Sequence, residues 1–466
     1  MCGVLGIHAP GRDVARLAYF GLFALQHRGQ ESAGIAVSDA GRVTALRDMG
    51  LVTQVFSEEK LRGLGGEAAI AHCRYSTTGG ARWANAQPVV RHGPARTVAL
   101  GHNGNLTNTS ALREELAAAG VRLTTTSDTE VVAALLAHDE RPLEEAVAST
   151  MRRLEGAYTI VLLAEGKLVG FRDPNGIRPL VLGELDRAPV LSSETCALDL
   201  IGAELAREVE PGELVVVDDE GVRSLRAVER SREGALCIFE YIYFGRPDSK
   251  LRGVELHGAR VRMGERLAEE APAEADVVIP IPDSGTPAAI GFARASGIPF
   301  SEGLIKNRYV GRTFIQPDQS LREHGIKTKF NALAEIAGKR VVVVDDSIVR
   351  GTTTRQIVAM LFEEGADEVH VRVSSPPILS PCFYGIDMAT ETELIAAGRS
   401  VEDVREAIGA TSLAYLSLDG MQAAIRRPPA TFCRACLTRR YPTPVPAGLA
   451  LAKERFEAAA ALGAIR

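Results

Sequence analysis

Two stretches in the second half of the chain repeat one pattern of apolar and polar positions. In the first, the apolar run 276–281 leads through a short polar loop to a helix predicted over 288–295. In the second, the apolar run 340–344 leads through the loop 345–354 to another helix, and a strand follows at 368–373. Apolar strands that alternate with helices are typical of a parallel sheet covered on both faces. Because ligands of such sheets bind at the carboxyl ends of the strands, the pattern predicts a binding site at these loops.

The first half has a different pattern, with shorter apolar runs that are closed by turns. The run 97–100 predicts a strand that enters a turn at 102–106, where an Asn side chain and a Gly backbone N–H can converge. Another strand is predicted over 214–217, and a charged stretch follows it. The change of pattern after that stretch predicts two domains, residues 2–232 and 233–466.

Composition narrows the class of protein and its partners. Hydrophobic residues make up 46% and charged residues 24% of the 466 residues, which is typical of a globular protein. The net charge of -6 disfavours nucleic acid or an anionic membrane as the main partner. The sequence has neither a secretion signal nor an apolar run of the roughly 18 residues that a membrane span needs. We therefore expect a cytoplasmic location.

Cys2 is the first candidate for catalysis. If Met1 is removed, the thiol, with a pKa of ~8.5, lies beside a free α-amine with a pKa of ~7.7–8.0, which can accept its proton. Since only Met1 precedes Cys2, we expect an aminopeptidase to expose this amine. A single cysteine is more often a small apolar residue than a nucleophile. Other residues are therefore needed to support the catalytic reading.

Three further segments supply what an amide-cleaving nucleophile requires. Asn103 and Gly104 offer hydrogen-bond donors for an oxyanion. Arg74 is suited to a carboxylate, and Asp128 to an ammonium group. Each of these residues alone is also compatible with a turn, a surface ion pair or a helix cap. Together with Cys2 they indicate hydrolysis of an amino-acid amide.

The motifs MCGVLGI, LQHRGQES, HCRYSTTG, GHNGNLTN and SDTE resemble those of the class II glutamine amidotransferases. The resemblance covers about the first half of the chain and implies an N-terminal-nucleophile (Ntn) hydrolase fold, an αββα sandwich. It also implies that Cys2 is the nucleophile and that Asn103 and Gly104 form the oxyanion hole. The glutamine-binding residues it implies are Arg28, Arg74, Thr77 and Asp128.

The loop at 345–354 has the chemistry of a sugar-phosphate site. Two adjacent acids suit ribose hydroxyls or a hydrated Mg²⁺, and threonines at a helix start favour an anion. An acidic strand end with a threonine-rich helix cap is the alternative interpretation. The whole segment VVVVDDSIVRGTTT resembles the diphosphoribosyl-binding loop of type I phosphoribosyltransferases. This resemblance implies one Mg²⁺ per subunit at Ser284, Asp345 and Asp346. It implies substrate contacts from Asp345, Asp346, Ser347, Arg350, Gly351, Thr352, Thr353 and Thr354.

A local basic patch lies between the two strand-loop-helix units. It includes Lys306, Arg308, Arg312 and Lys329, and it suits a diphosphate although the chain as a whole is acidic. A solvated basic loop is the ordinary alternative. The resemblance implies a flexible loop that closes over the substrate and excludes water.

Seven cysteines, an odd number in a chain of this length, favour metal or catalytic roles over a disulfide framework. Cys433 and Cys436 form a C-x-x-C, and Cys237 and Cys382 lie apart from it. Four thiolates could hold zinc or an iron–sulfur cluster, and C-x-x-C alone could be a redox dithiol. Cys73 and Cys196 are expected in the core.

A glutaminase half followed by a phosphoribosyltransferase half resembles the amidophosphoribosyltransferases, and the four cysteines match their iron–sulfur branch. The resemblance implies one [4Fe-4S] cluster per subunit and synthesis of 5-phosphoribosylamine from glutamine and phosphoribosyl diphosphate, with internal ammonia transfer, in purine biosynthesis. It also implies a homotetramer inhibited by purine nucleotides. Two alternatives are a regulator that senses phosphoribosyl diphosphate without catalysis and a glutaminase that feeds a different acceptor.

Overall fold

The computed structural model describes residues 1–76, 79–231, 234–307, 327–388 and 390–446. The strands of the first half are β1 (Gly3–His8), β2 (Ser32–Asp39), β3 (Arg42–Met49), β4 (Ala68–Arg74), β5 (Val89–His92), β6 (Thr97–Leu106), β7 (Gly156–Ala164), β8 (Lys167–Arg172), β9 (Val181–Leu185), β10 (Ala188–Ser192), β11 (Glu204–Glu208), β12 (Glu213–Asp218) and β13 (Gly221–Arg226). They form two sheets, with the orders β11-β9-β10-β1-β4-β2-β3 and β13-β12-β8-β7-β6-β5.

The two sheets pack face to face through small and branched apolar residues. Val4 and Ile70 of the first sheet share one buried cluster with Val161 and Val215 of the second. A Cβ on Gly6 would lie 2.6 Å from Leu168 Cδ1, so the sheets approach closely at this point. The contact brings β1, which follows Cys2, against the second sheet.

Helices cover the outer faces of this pair of sheets. They are α1 (Val14–Ala24), α2 (Val52–Val55), α3 (Glu58–Arg62), α4 (Thr109–Ala118), α5 (Asp128–His138), α6 (Leu143–Arg153) and α7 (Thr195–Ile201). α1 and α7 share a buried cluster with the seven-stranded sheet, and α4, α5 and α6 share another with the six-stranded sheet. The four layers confirm the expected αββα sandwich. Cys73 and Cys196 are both buried in the first of these clusters, as expected.

The second half contains a parallel sheet. Its strands, numbered on from β13, are β14 (Leu236–Cys237), β15 (Lys250–Leu251), β16 (Val254–Glu255), β17 (Val277–Pro280), β18 (Leu304–Lys306), β19 (Phe330–Ala332), β20 (Arg340–Asp345), β21 (Glu368–Val373), β22 (Ser412–Tyr415) and β23 (Phe432–Cys433). The parallel sheet has the order β17-β20-β21-β22. Its helices are α8 (Leu256–Glu270), α9 (Thr286–Ser296), α10 (Thr352–Glu363), α11 (Val401–Ile408), α12 (Leu418–Ile425) and α13 (Ala435–Thr438).

The apolar runs predicted as parallel strands are buried on both faces. Val342 and Val344 point into a cluster shared with α8 and α9, and Val341 and Val343 into one shared with α10 and α11. The strand at 368–373 has the predicted bounds. This confirms the parallel α/β sheet.

One expectation from the sequence is wrong, and another stays untested. The turn predicted at 102–106 is wrong, because β6 continues to Leu106 in pairing with β7, and Gly104 takes a φ of 150° within the strand. The predicted boundary at 232/233 lies outside the described residues, between the end of β13 and the start of β14. No helix in the described part of the chain is both long and apolar enough to cross a membrane.

Candidate active sites

Cys2 directly precedes β1 and meets the middle of β6. The backbone N–H of Cys2 donates to Asn103 Oδ1 at 3.3 Å. The Cys2 thiol lies 3.6 Å from the carbonyl oxygen of Tyr75, just beyond β4. Both sheets therefore hold the predicted nucleophile, which is buried with 8% of its surface exposed. The nitrogen here is a peptide nitrogen, because Met1 precedes it and is itself buried.

Asn103 has the geometry of an oxyanion donor. The residue is fully buried, and among the described residues its Nδ2 has no hydrogen-bond partner. A buried amide N–H without an acceptor costs free energy, which an arriving acceptor would recover. Its Oδ1 is held by the Cys2 N–H, which fixes the amide beside the nucleophile. The side chain is therefore prepared to donate to an oxyanion formed at Cys2.

The Gly104 N–H lies on a polar edge of β6. On either side of it along this strand, His102 N donates to Gln87 Oε1 at 2.7 Å and Leu106 N donates to Asp128 Oδ2 at 3.1 Å. Alternate residues of a strand direct their N–H groups to the same side, so the Gly104 N–H faces this edge too. A Cβ at Gly104 would lie 2.0 Å from the Ala157 carbonyl oxygen, which excludes every other residue.

Asp128 lies at the start of α5 and is paired with a histidine. Its Oδ1 is 3.6 Å from His102 Nδ1. Burial opposes ionisation of both groups, but their mutual attraction lowers the pKa of Asp128 and raises that of His102. The site therefore presents an anionic carboxylate next to the Gly104 edge, as binding of an ammonium group requires.

Arg74 ends β4 on the same side as Cys2. Its buried guanidinium donates to the carbonyl oxygens of Gly79 and Gly80 at 2.9 and 3.1 Å, and it lies 3.8 Å from Glu31. These contacts hold the loop that follows β4. Thr77, predicted to bind glutamine, lies outside the described residues.

Arg28 is placed differently from the sequence expectation. Its guanidinium is fully buried behind the nucleophile, where Nε donates to the Cys2 carbonyl oxygen at 3.0 Å. The terminal nitrogens bind the carboxylates of Glu194 and Glu240. Because these groups occupy the guanidinium, a contact with the Cys2 backbone replaces the predicted direct contact with glutamine.

The second site forms where β20 ends, as predicted. Asp345 and Asp346 are both buried there, and burial raises the pKa of each carboxyl, with Asp346 adding to the effect on Asp345. Ser347 Oγ donates to Asp346 Oδ1 at 2.6 Å. The Ser284 hydroxyl, from the loop after β17, also hydrogen-bonds to Asp346. The structure thus brings together the three residues predicted to bind Mg²⁺.

Gly351 allows the loop to turn into α10. It has a φ of 74°, and a Cβ would lie 2.2 Å from Ile395 Cδ1. The close approach is therefore to a core side chain. Thr352 and Thr353 are exposed at the helix start, whereas Thr354 is buried. This places two of the three predicted threonines where a phosphate can reach them.

The basic residues are described only in part. Lys306 ends β18 and pairs with Asp283 at 2.6 Å, beside Ser284. Lys329 lies opposite, and its carbonyl oxygen accepts from Asn307 N at 2.7 Å. Arg350 pairs with Glu393 at 3.0 Å. Arg308 and Arg312 lie outside the described residues.

The four predicted cluster cysteines lie in one region between the two halves, with Cys237, Cys433 and Cys436 buried and Cys382 partly exposed. Cys237 and Cys433 are opposite each other where β14 pairs with β23. Burial raises the pKa of Cys237 to about 11, with Arg178 opposing and Cys382 adding to the shift. Burial also raises the pKa of Cys436, and all three other thiols add to it. The thiols therefore lie within electrostatic reach of one another. Over the described ranges, no three His, Cys, Asp or Glu side chains lie in an arrangement that could hold a metal ion.

The segment 382–388 connects this region to the Cys2 site. The sequence analysis did not predict this connection. Asn105 Nδ2 donates to the Phe383 carbonyl oxygen at 2.8 Å. Tyr384 N donates to Cys382 Sγ at 3.4 Å, and Arg178 Nε donates to the Tyr384 carbonyl oxygen at 2.9 Å. These are contacts between distant segments, which no local pattern in the sequence could reveal.

A buried cysteine beside the Asn103 amide in an αββα sandwich, joined to a parallel sheet with two buried acids at a strand end, is the arrangement expected of a glutamine-dependent transferase with two sites. Family models agree: residues 72–199 match the glutamine amidotransferase domain and residues 258–375 the phosphoribosyl transferase domain. The chain is 52% identical to an amidophosphoribosyltransferase of Mycobacterium tuberculosis, over 98% of this chain and 89% of that protein. It is 53% identical to one of Synechococcus elongatus, over 98% and 94%.

A solved structure agrees in fold over nearly the whole length. It is the glutamine phosphoribosylpyrophosphate amidotransferase of Bacillus subtilis in complex with ADP and GMP, with a TM-score of 0.90 and 47% identity, covering 96% of this chain and 98% of that one. The chain belongs to the amidophosphoribosyltransferase family.

Proposed function

We propose that the chain makes 5-phosphoribosylamine in two half-reactions, one at each site. The first releases ammonia from glutamine at Cys2, and the second uses it to displace pyrophosphate from C1 of phosphoribosyl diphosphate. The observation that carries the proposal is the contact of Cys2 with Asn103, whose buried Nδ2 is unpartnered among the described residues.

In the glutaminase half, the Cys2 sulfur attacks the glutamine side-chain carbonyl carbon and forms a γ-glutamyl thioester. The α-amine exposed by removal of Met1 takes the thiol proton and supplies a proton to the departing ammonia. Asn103 Nδ2 and the Gly104 N–H stabilise the oxyanion. Water then hydrolyses the thioester to glutamate. Arg74 and Asp128 bind the α-carboxylate and α-ammonium groups, supported by the anionic state of Asp128.

In the transferase half, Asp345 and Asp346 would hold a Mg²⁺ ion and the ribose hydroxyls. Two adjacent buried carboxylates, with the hydroxyls of Ser284 and Ser347 both hydrogen-bonded to Asp346, fit this ion, since Mg²⁺ is usually held by one or two protein carboxylates, waters and substrate oxygens. When bound, Mg²⁺ neutralises charge on the leaving diphosphate. Thr352 and Thr353 bind the 5-phosphate at the α10 start, and Lys306, Lys329, Arg308, Arg312 and Arg350 serve the diphosphate side.

We assign Cys237, Cys382, Cys433 and Cys436 to one [4Fe-4S] cluster per subunit. The convergence of four cysteines from three separate segments supports this assignment. Cys237, Cys433 and Cys436 are buried, and the charge of Arg178 opposes the effect of burial on the pKa of Cys237. The role is structural, because such a cluster ties β23 and segment 382–388 to β14. Protein purified without air should contain iron and acid-labile sulfide in near-equal amounts. Stoichiometric zinc without sulfide would overturn the cluster and keep the four-ligand site.

Further properties follow from the family. We propose internal transfer of ammonia between the sites, a cytoplasmic homotetramer and inhibition by purine nucleotides. Nucleotide inhibition is supported by the Bacillus subtilis relative, whose structure contains ADP and GMP.

The direct test is glutamine-dependent release of pyrophosphate from phosphoribosyl diphosphate, with glutamate measured in parallel. Equal amounts of both products are expected. Binding of phosphoribosyl diphosphate without pyrophosphate release would indicate a non-catalytic regulator. Glutamate release that is unaffected by phosphoribosyl diphosphate and produces no pyrophosphate would indicate a different acceptor.

A further inference from the structure

Four charged side chains are buried together where the two domains meet. Arg28 and Glu194 belong to the first domain, Glu240 to the second, and Arg178 lies beside Glu240 at 3.6 Å. All four side chains are fully buried. We call Arg28, Arg178, Glu194 and Glu240 the interdomain charge cluster. Of the residues predicted to bind substrate, its carboxylates bind Arg28.

Glu240 supplies a two-point contact in this cluster. Its Oε1 accepts from Arg28 Nη2 at 2.8 Å, and its Oε2 accepts from Arg28 Nη1 at 3.0 Å. A bidentate contact of this kind fixes the plane of the guanidinium as well as its position. The third edge of the same guanidinium, Nε, donates to the carbonyl oxygen of Cys2 at 3.0 Å. The orientation set by Glu240 is therefore transmitted to the backbone of the nucleophile.

The Arg28 contact with the Cys2 carbonyl restrains the nucleophile from one side. On its other side the residue is held by Asn103 Oδ1, which accepts from Cys2 N, and by the thiol contact with Tyr75. Removing the Arg28 contact would leave the backbone of Cys2 without a restraint on this side. A shift of the sulfur by a fraction of an ångström changes its alignment with the Asn103 oxyanion donor.

The second domain also fixes the other carboxylate that holds Arg28. Glu194 Oε2 accepts from Arg246 N at 2.8 Å and from Ser249 Oγ at 2.7 Å, both from the second domain. Both carboxylates that accept from the Arg28 guanidinium, Glu194 and Glu240, therefore depend on contact with the second domain. Without the second domain, the charge of Arg28 would lose much of its compensation.

We propose that Glu240, a residue of the transferase domain, is a positioning residue for the glutaminase reaction and acts on Cys2 through Arg28. The inference rests on the proposed role of Cys2. It adds that the glutaminase site is complete only when the second domain is docked. Glu240 makes no contact with substrate in this scheme, so its removal should affect turnover more than substrate affinity.

The test is Glu240→Gln, which keeps the shape of the side chain and removes its charge and one acceptor. We expect kcat for glutamine-dependent synthesis to fall roughly 10–100-fold, because misplacement by about 1 Å can cost 10²-fold. The KM for glutamine should change less than about twofold, and so should the rate of ammonia-dependent synthesis. Alkylation of Cys2 by iodoacetamide, followed by mass spectrometry of its peptide, should slow in parallel with kcat. Glu240→Asp, which keeps the charge, should recover part of both rates.

Asp173→Asn is the matched control. Its carboxylate is also fully buried, accepts from the backbone N–H groups of Tyr158, Asn175 and Ile177, and makes no contact with Cys2. This variant should lower thermal stability and leave the ratio of glutamine-dependent to ammonia-dependent synthesis unchanged.

Two results would overturn the inference. In one, Glu240→Gln lowers both syntheses in proportion to its loss of stability, as the control is expected to do. In the other, it leaves Cys2 alkylation and kcat unchanged. A wild-type protein without glutamine-dependent synthesis would instead contradict the proposed function. If Glu240→Gln does not fold, the comparison is made on Glu240→Asp, where unchanged kcat and alkylation would contradict the inference.

Discussion

Gly385 of the second half of the chain lies against the backbone of Gly104 in the first half. A Cβ on Gly385 would be 2.9 Å from the Gly104 carbonyl oxygen and 3.2 Å from its Cα. Gly385 is three residues from Cys382 and adopts a φ of 101°. The predicted cluster ligand and the predicted oxyanion hole are thus connected through a short, closely packed segment.

Gly385→Ala should impair glutamine hydrolysis selectively. The methyl group would press on β6 at Gly104, and a positive φ costs a non-glycine residue about 1–2 kcal/mol. We expect lower glutamine-dependent kcat with largely retained ammonia-dependent synthesis. Gly398→Ala is the control, since it also has a positive φ but no heavy atom within 4 Å of its Cβ. If both variants have the same activity ratio as the wild type, the packing at Gly104 has no catalytic importance.

Asn103→Ala should reduce glutaminase turnover by ~10²–10³-fold, the usual cost of one oxyanion donor. The KM for glutamine should change little, because Nδ2 donates to an oxygen that becomes negative only during reaction. Steady-state kinetics of glutamate release will measure both constants. An increase in KM alone would assign Asn103 to substrate binding.

Replacing both Asp345 and Asp346 with Asn should abolish synthesis from either nitrogen source. Both reactions require phosphoribosyl diphosphate with its metal at the end of β20. Calorimetry should show loss of phosphoribosyl diphosphate binding in the presence of Mg²⁺. Ammonia-dependent synthesis at the wild-type rate would contradict the assignment of these acids.

The interdomain charge cluster should make the protein sensitive to acid. Burial alone would raise the pKa of Glu194, but His27 and Arg28 hold it well below its ordinary value of 4.5. As pH falls below about 4.5, the unfolded chain takes up a proton that the native Glu194 does not. This contribution to the free energy of unfolding is complete above that pH and decreases below it. Denaturant titrations from pH 7 to 3 should show that the free energy of unfolding decreases less in Glu194→Gln than in the wild type. An identical decrease in both proteins would exclude Glu194 as a source of the acid sensitivity.

The parallel sheet and the loop at its end were predictable because their signals are local. Val341 to Val344 form a continuous apolar run, and Asp345, Asp346 and Gly351 follow in the same segment. The sequence placed Asn103 beside Cys2, as the structure has it, but the turn predicted for this segment is a strand. A Gly within a strand resembles a turn unless the pairing of Gly104 with Tyr158 is known.

The interdomain contacts could not be predicted in the same way. Arg28 was recognised as a functional arginine, but its partner Glu240 is 212 residues away. The sequence pattern around either residue does not distinguish a buried ion pair from a charge on the surface. Only the docking of the two domains determines that the guanidinium lies behind Cys2 rather than toward glutamine.

Two separate sites carry out consecutive steps of one synthesis, and Cys2 acts only in the step that releases ammonia from glutamine. The most direct measurement is the rate of 5-phosphoribosylamine synthesis by Cys2→Ala with glutamine and, separately, with ammonia. We expect no glutamine-dependent synthesis and nearly wild-type ammonia-dependent synthesis. Equal loss of both activities in a folded variant, or retained use of glutamine, would contradict it.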